Sequence, residues 1–402
     1  MKVKKIDILA VVVFFLTFQI TYLFTLHPRL ERLFFEYRTV VLICIVCGLI
    51  LKKIKLRSFA ISNSFKLILL FVAVMLISNA YNKQSLENMA QVFTKPLIVC
   101  CLLELYRKDY IQIMKVWTRC LFICVMIDAI TMVLYPGGMY SDSLYSLYWF
   151  LGYKTARLVM ELPLCIFTAY LSNRRYGKFG FRTYFVILIS IAALFKAEAV
   201  AAGVSMLVAG AVFVVIDRSK KSQFVQQVIR GVLDYRFFIL LYSFVLISTI
   251  TVDQNKWLQD FFVNVLHKSP TLSTRTIIWG MCLPLILDKP LIGYGWLSSK
   301  EYIELFSNPF ATSPHNMIIE IIMTVGIVGL LAYILLYVFA LKRRNGNQRN
   351  HFVIATGIII MAIVGITSTS LVFSEIGFLF FEILGVEDLI RKESNEQWLE
   401  RT

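Results

Sequence analysis

The chain has 402 residues, of which 58% are hydrophobic and only 16% are charged. A soluble protein of this length would carry roughly 25% charged residues. Long apolar runs recur along the whole chain, so the composition excludes an ordinary soluble enzyme and indicates a polytopic membrane protein. The formal net charge of +16 does not indicate nucleic-acid binding, because the basic residues lie in short loops between apolar runs and form no basic face.

The apolar runs predict an all-α fold, a polytopic transmembrane helix bundle of about twelve spans. The basic N-terminal segment leads into an apolar run long enough to cross a bilayer, so we expect an uncleaved first span. We expect a single integral membrane domain over residues 1–402, with one large loop at 252–314. The predicted spans are 6–26, 34–51, 65–80, 89–105, 116–135, 155–172, 183–197, 199–216, 236–252, 317–341, 352–370 and 373–388.

The loops predict the orientation of the chain in the membrane. If both termini lie on one side, all the strongly basic loops fall on that side, which the positive-inside rule assigns to the cytoplasm. The loops at 136–154 and 252–314 then lie outside. The basic loops are 52–57, the segment opening with Arg107 and Lys108, 173–178, 217–221 and 342–349.

The segment 184–216 is apolar throughout except for Lys196-Ala197-Glu198. One helix of that length would measure about 50 Å, which exceeds the roughly 30 Å hydrocarbon core. Both flanks are basic, so we expect two short helices with Lys196 and Glu198 in the turn at the outer face. In the large loop, 256–266 and 276–287 are apolar enough to form amphipathic helices at the membrane surface.

The cysteines predict neither a disulfide framework nor a metal cluster. All eight lie in or beside apolar runs without polar neighbours, as small buried hydrophobic residues do. They are Cys44, Cys47, Cys100, Cys101, Cys120, Cys124, Cys165 and Cys282.

Two residues in the large loop are candidates for chemistry. His315 follows Pro314 at the mouth of an apolar span, and imidazole is suited to proton transfer near neutral pH. A helix-capping or interfacial histidine is the alternative. Arg275 offers a planar guanidinium to phosphate oxygens, and the alternative is a solvated loop arginine.

A second set of cations lies at the predicted outer ends of the middle spans. Lys154 and Arg157 enter the sixth span, where a cation must find a partner or water. Arg157 can pair with Glu161 on the same helix face. Lys196 and Glu198 form either a self-paired turn or a further cation facing the outer cavity.

Other ionisable residues stand in apolar surroundings or in outer loops. Asp128, Glu104 and Glu375 could orient an arginine or close a hydrogen bond between helices, and the sequence does not choose between these roles. Glu31 and Glu36 are placed in the first outer loop, where a carboxylate base would suit a lipid-dependent glycosyltransferase.

The chain lacks a Walker loop, a DxD pair, a His-rich cluster and a GxSxG motif. An enzyme with these residues would work without a nucleotide, metal or other cofactor. It would use arginines to stabilise an anion and a histidine to handle a proton.

The segment 271–329 resembles the O-antigen polymerase and ligase family (Wzy- and WaaL-like proteins), which includes capsular polysaccharide polymerases. The likeness rests on His315-Asn316 followed after nine residues by Gly326, Ile327-Val328 and Gly329. Upstream, Arg275, Trp279 and the run Pro290 to Gly295 also look like this family. The run 149–154 resembles the approach to its middle spans, and the order of spans and loops agrees.

The resemblance implies a GT-C-like membrane enzyme and a lipid-linked substrate. The expected reaction is inverting, metal-independent transfer of an oligosaccharide from undecaprenyl diphosphate at the outer face of the bacterial cytoplasmic membrane. A flippase and a chain-length regulator of the same pathway are the expected partners, besides the substrate and membrane lipid.

The resemblance also implies roles for named residues. His315 would orient or deprotonate the acceptor hydroxyl, with Asn316 in support, and the diphosphate would be held by Arg275, Arg157, Lys154 and Lys196. Glu198, Trp279 and Tyr294 would support the site. Gly326 and Gly329 would permit close helix packing, and Gly293 and Gly295 would shape a turn.

Three functions fit these residues. A polymerase, which transfers the glycan to another lipid-linked repeat unit in capsule or O-antigen synthesis, is our interpretation. A ligase would transfer it to lipid A-core, but ligase-like members carry a Ser- and Arg-rich turn where this chain has Phe195-Lys196-Ala197-Glu198. A lipid-linked oligosaccharide flippase would fit twelve spans with inner cations but leaves the His-Asn and Gly-Gly pattern unexplained.

Overall fold

The computed structural model describes residues 4–18, 20–57, 61–141, 147–218, 223–250, 256, 260, 275–308, 311–342 and 348–366. Within these ranges the regular structure is helical, with two isolated β-bridges, Tyr140–Tyr148 and Trp149–Gly152, and no strand. This confirms the predicted all-α class. The helices are α1 Lys5–Thr17, α2 Thr21–Leu26, α3 Pro28–Lys55, α4 Asn63–Tyr81, α5 Leu86–Leu105, α6 Tyr110–Leu134, α7 Leu158–Tyr176, α8 Phe181–Lys196, α9 Val200–Arg218, α10 Gln223–Val232, α11 Tyr235–Ile250, α12 Arg275–Asp288, α13 Ser299–Phe306, α14 Met317–Leu341 and α15 Gln348–Gly365.

The helices confirm a multi-pass membrane protein. In the described ranges, six are long and apolar enough to cross a bilayer, and the pair α10–α11, bent by 55°, makes a seventh if it counts as one span. The six lie at Arg29–Lys55, Asn63–Tyr81, Leu86–Leu105, Arg107–Leu134, Val200–Arg218 and Met317–Leu341. The predicted span at 373–388 and most of the segment 252–274 lie outside the described residues, so the count of twelve stays a prediction.

Polar side chains start several of these helices. The Ser62 hydroxyl accepts a hydrogen bond from the Phe65 amide at 3.1 Å, and Ser85 accepts one from Asn88 at 3.2 Å. Each bond satisfies one of the amides that a helix leaves free in its first turn. By contrast, the run 6–26, predicted as one span, is divided between α1 and α2. Thr17 marks the end of α1, and its hydroxyl bonds back to the Val13 carbonyl at 2.6 Å.

The apolar segment 184–216 forms two helices, as predicted. Helix α8 ends at Lys196 and α9 begins at Val200. The turn between them is closed by the amide of Ala199, which donates to the Leu194 carbonyl at 2.9 Å. Glu198 has a φ of 57°, and both Lys196 and Glu198 are exposed. The break therefore occurs where the sequence interrupts its apolar run.

Two hydrogen bonds fix how α15 lies along the bundle. At its start, Asn350 accepts from the Asn173 side chain near the end of α7, at 2.7 Å. At its other end, the Ile366 carbonyl accepts from the Asn316 side chain at 3.1 Å. Helix α15 therefore runs antiparallel to α7, and Asn316 lies at the opposite end of the bundle from Asn173.

This arrangement defines two ends of the molecule. The start of α7, which carries Arg157, lies at the same end as His315 and Asn316, and we call it the site end. The other end carries the loop 173–178 and the ion pair between Arg349 and Asp217, at 2.8 Å. We call it the basic end, because Arg174, Arg175 and Lys178 lie there as well.

Candidate active site

Helix α14 is broken at Gly326, and this break shapes the site end. Gly326 has φ 64° and ψ −166°, which no helix accommodates. A Cβ atom at this position would lie 2.2 Å from the carbonyl group of Leu291. The sequence predicted that Gly326 serves close helix packing. The structure corrects this, because the glycine is required by its left-handed φ and by the approach of the segment 290–295.

The segment 290–295 satisfies the backbone groups that the break frees. The amides of Tyr294 and Gly295 donate to the carbonyls of Met323 and Thr324, at 2.7 and 2.9 Å. In return, the amides of Ile327 and Val328 donate to the carbonyls of Pro290 and Leu291, at 2.8 and 3.2 Å. Non-helical backbone within a membrane protein requires such internal partners. The segment is therefore part of the same structural unit as α14.

The C-terminal end of α4 holds this segment from the other side. The Asn82 side chain donates to the Gly293 carbonyl at 3.0 Å, and the Asn79 side chain accepts from the Trp296 amide at 2.6 Å. The Ser78 hydroxyl lies 2.6 Å from the Ile292 carbonyl. Sequence reasoning missed these residues. Their signal was a cluster of polar side chains at the end of an otherwise apolar span.

Gly293 and Gly295 shape the turn as predicted. Their φ values are 64° and 79°, both in the left-handed region. A Cβ at Gly293 would lie 2.5 Å from the Met323 carbonyl oxygen. The turn thus brings backbone against backbone at the break in α14, which only glycine permits.

Helix α12 places Arg275 beside the turn that carries His315. Trp279, one turn after Arg275, donates its indole N–H to the Pro314 carbonyl at 2.8 Å. Trp279 is buried in a small apolar cluster with Ile278, Tyr302 and Met323. The predicted helix at 276–287 is confirmed, and its packing onto α14 brings together two candidates that are far apart in the chain.

His315 is partly buried and has a φ of 52°. Its Nδ1 atom lies 3.3 Å from the Ser313 hydroxyl, which also accepts from the His315 amide at 3.3 Å. Burial lowers the pKa of His315 to about 4, and the positive charge of Arg275 adds to this effect. The imidazole is therefore neutral near pH 7, and Arg275 lies close enough for its charge to act on it.

Asn316 is fully buried and caps α14. Its side-chain oxygen accepts from the amides of Ile318 and Ile319, at 3.1 and 3.2 Å, while its amide group donates to Ile366. These contacts satisfy the first turn of the helix. Asn316, the neighbour of His315 in the chain, is thus held by both the start of α14 and the residue that follows α15.

Tyr294 lies in the same region but faces another partner. Its hydroxyl donates to the Asp288 carboxylate at 2.8 Å, and the ammonium of Lys289 lies 4.6 Å from its ring centroid. Burial and the bond to Asp288 raise the pKa of Tyr294 to about 12. The side chain thus links the end of α12 to the segment 290–295.

Arg157 is enclosed at the start of α7. It forms an ion pair with Asp128 of α6, and its Nε lies 3.8 Å from Glu161 Oε1. The guanidinium carbon lies 5.3 Å from the centroid of the Trp149 ring. All three charged side chains are buried, and Arg157 Nη1 and both Glu161 oxygens have no hydrogen-bond partner among the described residues. Asp128 thus orients an arginine, one of the roles that the sequence left open.

The remaining cations lie near this cluster. Lys154 begins the 3-10 turn Lys154–Arg157, and its side chain is outside the described residues. Ala197, between Lys196 and Glu198, packs against Trp149 and Met132. The α8–α9 turn therefore lies beside the tryptophan that covers Arg157. The predicted site residues form two groups at one end, around His315 and around Arg157.

Two further buried charges were not selected from the sequence. Glu320 is buried one turn after Asn316, and Arg38 of α3 is buried among neutral acceptors. The Arg38 guanidinium donates to Thr94 at 2.8 Å and to the Gln91 carbonyl at 2.7 Å. A charged residue inside a predicted span is a functional candidate by default, and this signal could have found both.

Glu31 and Glu36 lie on a helix, where the sequence placed an outer loop. Helix α3 begins at Pro28, so both carboxylates lie in its first turns. Glu36 is exposed and pairs with Arg32 at 3.3 Å. Among the described residues, no group of three or more His, Cys, Asp or Glu side chains could hold a metal ion.

The chain also matches known proteins over this part. A family model described as O-antigen ligase matches residues 162–334, which include α12, the turn at His315 and both glycines of α14. This part of the chain is therefore similar to the O-antigen ligase family. Lys154 and Arg157 precede the matched residues, whereas Lys196, Arg275 and His315 lie within them.

Proteins similar to part of this chain occur in Rickettsia. Proteins named "Putative polysaccharide ligase" from Rickettsia conorii and Rickettsia felis are 30% identical over 105 residues. These cover 23% of this chain and 25% and 26% of the two relatives. A Rickettsia typhi protein of that name is 32% identical over 98 residues, 22% of this chain and 24% of the relative. The chain thus spans about a quarter of the length of these relatives.

Proposed function

We propose that this protein is a polysaccharide polymerase that joins undecaprenyl-diphosphate-linked oligosaccharide units. The observation that carries the proposal is that Arg275 lies near a neutral His315 at the start of α14, where the Trp279–Pro314 hydrogen bond joins α12 to the His315 turn. The match of residues 162–334 to the O-antigen ligase family model supports it, because polytopic enzymes of this family act on lipid-linked glycans. The proposed site faces the outside of a bacterial cytoplasmic membrane with both termini inside, and the loop 252–314 supplies part of it.

The proposed reaction is an inverting glycosyl transfer. The acceptor hydroxyl oxygen forms a bond to the anomeric carbon of the donor, and the bond from that carbon to the diphosphate oxygen breaks. The lipid diphosphate leaves with the electron pair of that bond. Arg275 stabilises its developing charge, as a guanidinium does for phosphate oxygens. His315, neutral at working pH, takes up or directs the proton of the hydroxyl.

The second group of cations supports the diphosphate in this proposal. Lys196 is exposed at the α8–α9 turn and can reach a bound lipid diphosphate. Arg157 is covered by Trp149 and paired with Asp128, so a direct contact requires the tryptophan side chain to move. We assign Lys196 and Lys154 to the phosphate groups, and Arg157 to the same task once Trp149 is displaced.

Ligase activity is the second candidate. The matched family model and the Rickettsia relatives carry ligase descriptions, and these favour transfer to a different acceptor. The turn Phe195-Lys196-Ala197-Glu198 favours the polymerase, since it lacks the Ser- and Arg-rich pattern of ligase-like members. Donor and site are the same in both candidates. A flippase and a chain-length regulator would act with either enzyme.

To test the proposal, the purified protein is given two acceptors, lipid-linked repeat units and lipid A-core. Incubation with lipid-linked repeat units alone should give a ladder of longer lipid-linked chains. If a product forms only when lipid A-core is added, the protein is a ligase and not a polymerase. Arg275→Ala and His315→Ala should each abolish the product while the protein remains folded. Lys300→Ala is the matched control, because Lys300 is exposed and forms an ion pair with exposed Glu304 at 3.9 Å.

A further inference from the structure

A cavity of about 530 Å³ opens at the basic end, between α6, α7 and α8. It lies far from His315, because α6 and α7 each extend from this end to the site end. Most of its lining side chains are cationic. The lining residues are Ile111, Lys115, Thr118, Arg119, Leu171, Arg174, Arg175 and Arg182.

Four of the five cations that line this cavity have no carboxylate ion pair among the described residues. Within the described ranges, no carboxylate forms an ion pair with Lys115, Arg119, Arg175 or Arg182. Asp7 lies near enough to interact with Arg119. Its oxygens are already bonded, however, to the Gln112 side chain at 2.8 Å and to a backbone amide at 3.0 Å.

Aromatic rings hold two of the arginines in place. The guanidinium of Arg182 lies 4.8 Å from the Phe122 ring centroid, and that of Arg175 lies 5.0 Å from Tyr176. The contact between Arg182 and Phe122 also joins α8 to α6. The positive-inside rule explains basic residues at this end, but it does not require cations from three helices to line one cavity. Cations so arranged repel one another unless an anion binds between them.

The surface next to the cavity has the pattern of a phospholipid. On α6, Lys115, Arg119, Ile123 and Ile127 follow one another at four-residue spacing, so they lie on one helix face. All four are exposed, and the sequence changes from basic to apolar along this face. A headgroup in the cavity would therefore leave its acyl chains along the isoleucines.

We propose that this cavity binds the phosphate headgroup of an anionic phospholipid from the leaflet that borders the basic end. Guanidinium groups match phosphate oxygens in charge and geometry, and basic pockets between transmembrane helices suit such headgroups. The proposal does not depend on the function proposed for the site end.

Thermal unfolding of the purified, delipidated full-length protein tests this. Cardiolipin should raise the midpoint temperature, whereas phosphatidylcholine should not. Arg119→Gln combined with Arg175→Gln should weaken the apparent affinity for cardiolipin roughly tenfold or more, since two of the cations that line the cavity are then neutral. The matched control combines Lys108→Gln with Lys178→Gln, two exposed lysines at the same end that do not line the cavity. It should change the affinity less than about twofold.

Three outcomes would overturn the proposal. If phosphatidylcholine stabilises the protein as much as cardiolipin does, the cavity does not select an anionic headgroup. If sodium phosphate without lipid stabilises the protein equally, the ligand of the cavity is a free anion and not a lipid. If the control variant loses as much affinity for cardiolipin, the effect comes from the overall charge of this end and not from the cavity. If the double variant does not fold, native mass spectrometry of Lys115→Gln against wild type decides the matter. The variant should then carry less co-purified anionic lipid.

Discussion

The indole N–H of Trp279 donates to the carbonyl oxygen of Pro314 at 2.8 Å. This bond joins α12, which carries Arg275, to the turn that carries His315. Trp279 is fixed in turn by the apolar cluster between α12, α13 and α14. Trp279 therefore fixes the position of Arg275 relative to His315, the two residues to which we assign the chemistry.

Trp279→Phe should reduce activity far more than stability. The phenyl ring fills most of the space, and a lost neutral hydrogen bond costs about 1 kcal/mol of unfolding free energy. A small displacement of the His315 turn can nevertheless lower the rate about 100-fold. Turnover and thermal unfolding should be measured together. Ile277→Ala, on the exposed face of the same helix, should leave both unchanged, and full activity in Trp279→Phe would contradict the positioning role.

The low pKa of His315 predicts a loss of stability in acid. Its folded-state pKa of about 4 lies below the usual value near 6.5. As pH falls from about 6.5 towards 4, the unfolded chain therefore takes up a proton that the folded chain does not. The loss between pH 6.5 and 5 is at most about 2 kcal/mol.

Thermal unfolding at pH 7.5 and pH 5 measures this loss. His315→Gln should lose less stability than wild type, because it has no imidazole to protonate. Arg275→Gln should also lose less, because removing the arginine charge raises the pKa of His315. If all three proteins lose the same stability, His315 does not titrate as its surroundings require.

Gly326→Ala should destabilise the protein strongly. The new Cβ would lie 2.2 Å from the Leu291 carbonyl group, and φ is 64°. Backbone strain and the displaced segment 290–295 together should cost several kcal/mol. The yield of folded protein and the unfolding midpoint report this. Gly280→Ala is the control, since a Cβ there meets no atom within 4 Å, and it should be neutral or slightly stabilising.

Local patterns predicted much of the fold and of the site. The interruption at Lys196-Ala197-Glu198 located the α8–α9 turn, and the apolar run after Arg275 located α12. The break at Gly326 could not be predicted, because a glycine pair at that spacing also fits two packed helices. Only the tertiary contact with the segment 290–295 decides between these. The sequence offered Glu161 as a partner of Arg157, and this ion pair forms at 3.8 Å. The closer partner, Asp128, could not be predicted, because it depends on how α6 packs against α7.

The buried pair of Asp128 and Arg157 predicts strong coupling between the two substitutions. Asp128→Asn alone leaves a buried guanidinium without its main carboxylate partner, and Arg157→Met alone leaves two carboxylates without a cation. Breaking a buried pair costs about 3–5 kcal/mol, whereas replacing both partners should cost less than the sum of the two single changes. Unfolding midpoints of the four proteins in the cycle measure the coupling, with activity recorded in parallel. A double variant that is stable but inactive supports a contact between Arg157 and the diphosphate. If it is stable and fully active, the pair serves the fold alone, and Lys154 and Lys196 hold the diphosphate without it.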